Sequence, residues 1–149
     1  MKKLLCVLLS VVMLFTMVAC GGKSQTAILT YEQNGVTMKY TLESKGDIIH
    51  TITQTSTIDG SVYTEEQLAV IEDSISQYQA LYEQIKGVTY STDVDGSVFV
   101  ETIEIDASNE TTITTLSSQG LLPIDGSSAN ISLEKTVKNL VSQGWVLQE

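Results

Sequence analysis

Residues 26–58, TAILTYEQNGVTMKYTLESKGDIIHTITQTSTI, decide the fold. Asn34-Gly35 sits between two runs of alternating apolar and polar residues. Both residues tolerate positive φ, as a type I′ hairpin turn requires. Placing Gln33 opposite Val36 sets Tyr31 against Met38 and Leu29 against Tyr40, all four on one face. Turn chemistry and hydrophobic pattern therefore choose the same register. Val36, Met38, Tyr40 and Leu42 alternate with Thr37, Lys39, Thr41 and Glu43, the pattern of a half-buried strand. Ser44-Lys45-Gly46 reads as a three-residue loop. It pairs Glu43 with Asp47, Leu42 with Ile48, Tyr40 with His50 and Met38 with Ile52. The result is a three-stranded antiparallel meander.

Asp59-Gly60 closes the third strand, and a helix follows. Thr64-Glu65-Glu66-Gln67 is a capping box, with Tyr63 and Leu68 placed as a hydrophobic staple. Leu68, Ile71, Ile75, Tyr78, Tyr82 and Ile85 recur at spacings of three and four, one apolar stripe. Lys86 complements the helix dipole and Gly87 ends the helix. Val88–Asp106 reads as a hairpin around Asp95-Gly96. Its inner face is ambiguous: Phe99, Ile103 and Ile105 favour one side, Val98 and Val100 the other. Residues 107–130 read as a loop with one short helical turn. A last helix runs from Leu133 to Gln143, capped by Ser132, with Leu133, Val137, Leu140 and Val141 apolar. Gly144 stops it, Trp145 folds back on Leu140, and Val146-Leu147 can form a short strand. Strands joined by tight hairpins, followed by amphipathic helices, indicate an α+β fold. The expectation is a five-stranded antiparallel sheet with two helices packed on one face.

The N-terminus carries a second message. Lys2-Lys3, an apolar run from Leu4 to Phe15 and the small residues Val18-Ala19 make a secretory signal. The run is too short for a transmembrane helix, which takes about 20 residues. Cys20-Gly21-Gly22 follows directly, so the site resembles a bacterial lipoprotein signal, although Met17 replaces the usual leucine. Residues 1–19 are expected to be removed between Ala19 and Cys20. Cys20 is expected to be alkylated by diacylglycerol, with palmitate among its acyl groups. Two or more acyl chains hold a protein on a membrane, where one holds only marginally. Residues 20–25 then form a flexible tether, and 26–149 a single domain. The location implied is the outer, non-cytoplasmic face of a bacterial cell membrane.

Composition narrows the function. The formal charge is −10, and falls to about −12 without Lys2 and Lys3; the chain has no arginine. Nucleic acid is a poor partner for such a surface. Cys6 lies in the signal and Cys20 is the lipidation site, so thiol catalysis, disulfides and cysteine-held metals are not expected. The membrane, through the lipid, is the partner implied, with an envelope protein or cell-wall component as a further candidate.

No catalytic constellation appears. His50, the only histidine, has no acid committed to it in sequence. Asp93-Val94-Asp95-Gly96 has its glycine at the wrong position for a calcium loop, and Glu104 falls inside a strand. No metal ligand set, cofactor motif or Gly-x-Ser-x-Gly nucleophile turn is present. His50, Tyr31, Tyr40 and Trp145 are the candidates for touching a ligand. The reading is a non-catalytic, membrane-anchored binding domain. The alternative is a small-ligand carrier or accessory subunit using a cleft on the sheet, and an envelope hydrolase is the remote third.

The strands bearing Tyr31 and Tyr40, the Tyr63–Ile85 helix, Gly87-Val88 and Gly144-Trp145 give a layout that resembles the YehR-like family of small bacterial lipoproteins. The resemblance runs from about Thr26 to Trp145. It implies a fold and an envelope location, and it carries no activity.

Overall fold

A computed structural model describes residues 22–148. The signal, its cleavage site at Ala19 and Cys20 lie outside the described residues. Asn34 and Gly35 have φ of 52° and 77°, the doubly positive pair a type I′ turn needs. They join β1 (Ser24–Gln33) to β2 (Val36–Lys45) in the register read from the sequence, with Leu29 against Tyr40 and Tyr31 against Met38. β1 begins two residues before the expected start at Thr26, and the Gly46 N–H bonds back to the Lys23 carbonyl at 3.0 Å.

The next turn departs from expectation. It is the two-residue Gly46-Asp47, which pairs Lys45 with Ile48 at the start of β3 (Ile48–Asp59). A bulge follows: Ser44 faces Ile49 and Glu43 faces Thr51, leaving His50 as the extra residue. Tyr40 therefore faces Gln54, not His50, and Met38 faces Ser56, not Ile52. The physical reason is parity. Ile49 and Ile52 are three apart, so a regular strand would send one outward; the added residue lets both be fully buried. Asp47 also had to stay in the turn. Its carboxylate accepts from Ser132 Oγ at 2.6 Å and from the Glu134 N–H at 2.8 Å, docking the start of the last helix.

After a 3-10 turn (Gly60–Val62) comes α1 (Glu65–Tyr82), whose Thr64–Gln67 capping box is fully formed. β4 (Val88–Asp95) and β5 (Val98–Asp106) make the second hairpin with no register shift. Phe99, Ile103 and Ile105 take its inner face, and Val98 and Val100 lie half-buried on the other. The segment expected to hold one helical turn forms a nine-residue helix, α2 (Glu110–Ser118). Its β-branched threonines argue against a helix by propensity. The Asn109 cap, which accepts from the N–H groups of Thr111 and Thr112, and burial of Ile113 and Leu116 override that preference. α3 (Leu133–Ser142) buries Thr136 beside Leu133 and Leu140, while Val141 faces solvent. The Trp145 N–H bonds the Leu140 carbonyl at 3.1 Å beyond Gly144. β6 (Val146–Leu147) then adds to β1.

Among the described residues the sheet thus has six antiparallel strands, not five, in the order β4-β5-β3-β2-β1-β6, and there are three α-helices, not two. β6 was too short to be counted from pattern alone. Side chains from α1, α2 and α3 and from one sheet face share a single core built on Leu29, Leu42, Ile52, Ile105 and Leu116. The opposite face carries Thr30, Thr37, Thr41, Thr53, Thr55, Thr57 and Thr102, none buried. Among the described residues no helix is long and apolar enough to cross a membrane.

Candidate functional site

The helix-covered face should be apolar throughout, and it is not. Pairing runs Met38–Ser56–Glu101 across β2, β3 and β5, and one step along it runs Tyr40–Gln54–Ile103. Ser56, Gln54 and Glu101 thus share the parity of the core residues Ile52 and Ile103. Polar groups at core positions cost stability unless they are bonded or put to use. They form the floor of a cleft of about 370 Å³. Tyr78 and Tyr82 of α1 make one wall, and residues 120–123 make the roof.

Tyrosine hydroxyls pin that roof. Tyr82 donates to the Leu121 carbonyl at 2.9 Å, and Tyr40 to the Pro123 carbonyl at 2.9 Å. Gln54 Oε1 lies 3.2 Å from the Tyr40 hydroxyl, and Gln54 Nε2 reaches Ser56 Oγ at 3.4 Å. The Tyr90 hydroxyl is hydrogen-bonded to Glu101 Oε1 and lies 3.2 Å from the Ile75 carbonyl, tying the sheet to α1. The rings of Tyr82 and Tyr90 stack at 5.8 Å, and those of Tyr78 and Tyr82 lie 6.5 Å apart. Burial, with Tyr82 nearby, pushes the Tyr40 hydroxyl up to about 12. Burial raises Tyr82 as well, then the charge of Glu101 and then Tyr78. Tyr90 is raised by burial and by its bond to Glu101. The phenols therefore stay protonated near neutral pH. They act as donors and ring walls, not as bases or nucleophiles.

A second groove, of about 540 Å³, lies between residues 122–132 and α3. Its polar groups come from a surface loop and from α3, which brings Lys135 and Asn139, and its Asp125 is already hydrogen-bonded to Asn139. Polar residues there need no special explanation, so the inner-face cleft is the stronger candidate.

Of the sequence candidates, Tyr40 lines the cleft. Trp145 stacks on Tyr40 at 4.4 Å, and Tyr31 lies beyond it at 5.5 Å from Trp145; neither lines either cavity. His50 lies at the bulge, Nδ1 3.0 Å from Thr51 Oγ1, and its carbonyl accepts from the Ala107 N–H at 2.9 Å. It lines neither cavity. Asp93 pairs with Val100 and Glu104 with Thr89, so the strands separate these two carboxylates. Among the described residues no three of His, Cys, Asp and Glu come together as a metal site. Gln54, Ser56, Tyr78, Tyr82 and Glu101 were missed. Their signal is polarity at inward parity, legible only once the β3–β5 register is known.

Comparison with known proteins agrees with this architecture. The family described as "Protein of unknown function (DUF1307)" matches residues 25–146. The uncharacterized lipoprotein Lmo0207 of Listeria monocytogenes is 32% identical, over 97% of this chain and 95% of its own length. The uncharacterized lipoprotein Lin0239 of Listeria innocua is 29% identical over the same shares. The NMR structure of Escherichia coli YehR superposes with a TM-score of 0.64 at 17% identity, covering 86% of this chain and 93% of that one. A Streptococcus pneumoniae protein solved by NMR gives 0.58 at 13% identity, covering 99% and 96%. At such identities the two structures speak for the fold alone.

Proposed function

Because the chain belongs to the DUF1307 family, the YehR-like small bacterial lipoproteins, we propose that it is itself a lipoprotein whose domain binds a small ligand outside the cytoplasm. The lipoprotein part is supported by the names of its Listeria relatives and by the Ala19-Cys20-Gly21 signal. Cys20 carries the lipid and residues 1–19 are removed. Ser24 already belongs to β1. The tether is therefore about four residues, and at about 3.5 Å per residue the sheet begins within about 14 Å of the lipid headgroups. The domain works close to the membrane and takes up ligand from the layer beside it.

The observation that carries the binding role is the cleft itself. Its volume falls in the range of small-molecule sites, and convergent polar groups line an otherwise apolar wall. The test compares neighbouring residues on opposite sheet faces. Ser56→Met fills the floor, and Thr55→Met alters only the threonine face. Each protein, purified with its lipid in detergent, is dialysed against a small-molecule extract of the envelope, and retained compounds are identified by mass spectrometry. The wild type and Thr55→Met retain a compound that Ser56→Met, folded by circular dichroism, does not. Equal retention by both variants refutes the cleft. Metabolic palmitate labelling tests the anchor: label is lost in Cys20→Ala, and label persisting in that variant refutes it.

A further inference from the structure

The charge pattern of the cleft deepens that reading, on which it rests. Among the described residues Glu101 is the only ionisable acid or base lining the cleft apart from tyrosines, with no lysine or histidine reaching it, and the chain has no arginine. Glu101 Oε1 is bonded to Tyr90, and among the described residues no hydrogen bond is made to its Oε2. The Glu101 carboxylate is half-buried, with Oε2 left open to a ligand at the cleft. The rings of Tyr82 and Tyr78 line the same cleft, the latter half exposed at the wall. Tyrosine faces attract cations through their quadrupole, more strongly where water is excluded. Met38, Ile103 and Leu122 complete an apolar surround for the rest of a ligand.

We infer that this cleft binds a small organic ammonium ion, with Glu101 as its counter-ion and Tyr78 and Tyr82 as its aromatic wall. An anion would be repelled by Glu101 and would meet no positive side chain. An ammonium ion gains the free carboxylate oxygen and the ring faces together. The acidic domain favours its approach, since a formal charge of about −12 without Lys2 and Lys3 raises the local concentration of cations. The roof carbonyls of Leu121 and Pro123 are occupied by tyrosine hydroxyls, so specificity falls on Glu101 and the rings.

The experiment is an NMR titration of the lipidated protein in a neutral detergent. The probes are choline, propylammonium and dimethylbutanol, the last a neutral carbon isostere of choline. At least one cation shifts the resonances of Met38, Gln54, Glu101, Ile103 and Leu121, and binds at least about tenfold more tightly than the neutral isostere. Glu101→Gln removes that preference while keeping the shape, and Tyr78→Ala weakens the cation more than the isostere. If the isostere shifts the cleft as strongly as the cations do, the ammonium inference fails and the cleft stands. If Glu101→Gln keeps the preference, Glu101 is not the counter-ion and the inference fails. If neither cation shifts cleft residues at tens of millimolar, the inference is overturned, and the retention experiment with Ser56→Met decides the cleft separately.

Discussion

Deleting His50 should cost little for a residue inside a strand, because it is the extra residue of the β3 bulge. Ile49 and Ile52 then stand two apart, and the ladder runs on regularly with Ser44 against Ile49 and Glu43 against Thr51. Both isoleucines keep the inward face without a bulge. What is lost is the bond from the Ala107 N–H to the His50 carbonyl at 2.9 Å. At about 1 kcal/mol net, that bond sets the cost. Turning Ile49 outward instead would forfeit about 1.5–3 kcal/mol more in burial. The His50 side chain is half-buried and contacts Thr51 Oγ1, so His50→Ala should cost less than about 1 kcal/mol. Urea unfolding followed by Trp145 fluorescence, the single tryptophan, measures both. A deletion costing about 3 kcal/mol or more would refute the parity argument.

Alkaline pH should weaken the fold. Tyr40 rises from 10.0 to about 12 on folding, so the folded state holds its proton longer; stability intact below pH 10.0 falls as pH climbs toward about 12, by about 3 kcal/mol for this residue. Tyrosinate absorbance and unfolding should change together in that window, and Tyr40→Phe should flatten the loss. Gly87→Ala should destabilise by about 2 kcal/mol or more in thermal unfolding, because φ is +84° and a Cβ would run into Thr112 Oγ1. Asn109→Ala and Thr64→Ala should each cost about 1 kcal/mol in urea as helix caps, with no change at the cleft.

Local chemistry explains what was legible. The Asn34-Gly35 register, the Thr64–Gln67 box and the Ser132 cap each rest on residues within a few positions of one another. The Gly46-Asp47 turn did not yield, because its choice depends on Asp47 docking Ser132, 85 residues away. α2 was hidden by its threonines, since only burial against the sheet pays for that helix. The cleft was half visible. Tyr40 and Met38 stood out as inward residues of an early hairpin, whereas Glu101 and Tyr82 join them only through the β3–β5 pairing and the packing of α1. Trp145, the single tryptophan, sits behind Tyr40 as packing.

The most direct test of the cleft is resonance mapping on the lipidated protein as the small-molecule extract of the envelope is added. The account predicts shifts at Gln54, Ser56, Glu101, Ile103 and Gly120–Leu122, with Thr53, Thr55 and Thr102 on the far face unchanged. Shifts confined to that threonine face, or to the groove along α3, would contradict it.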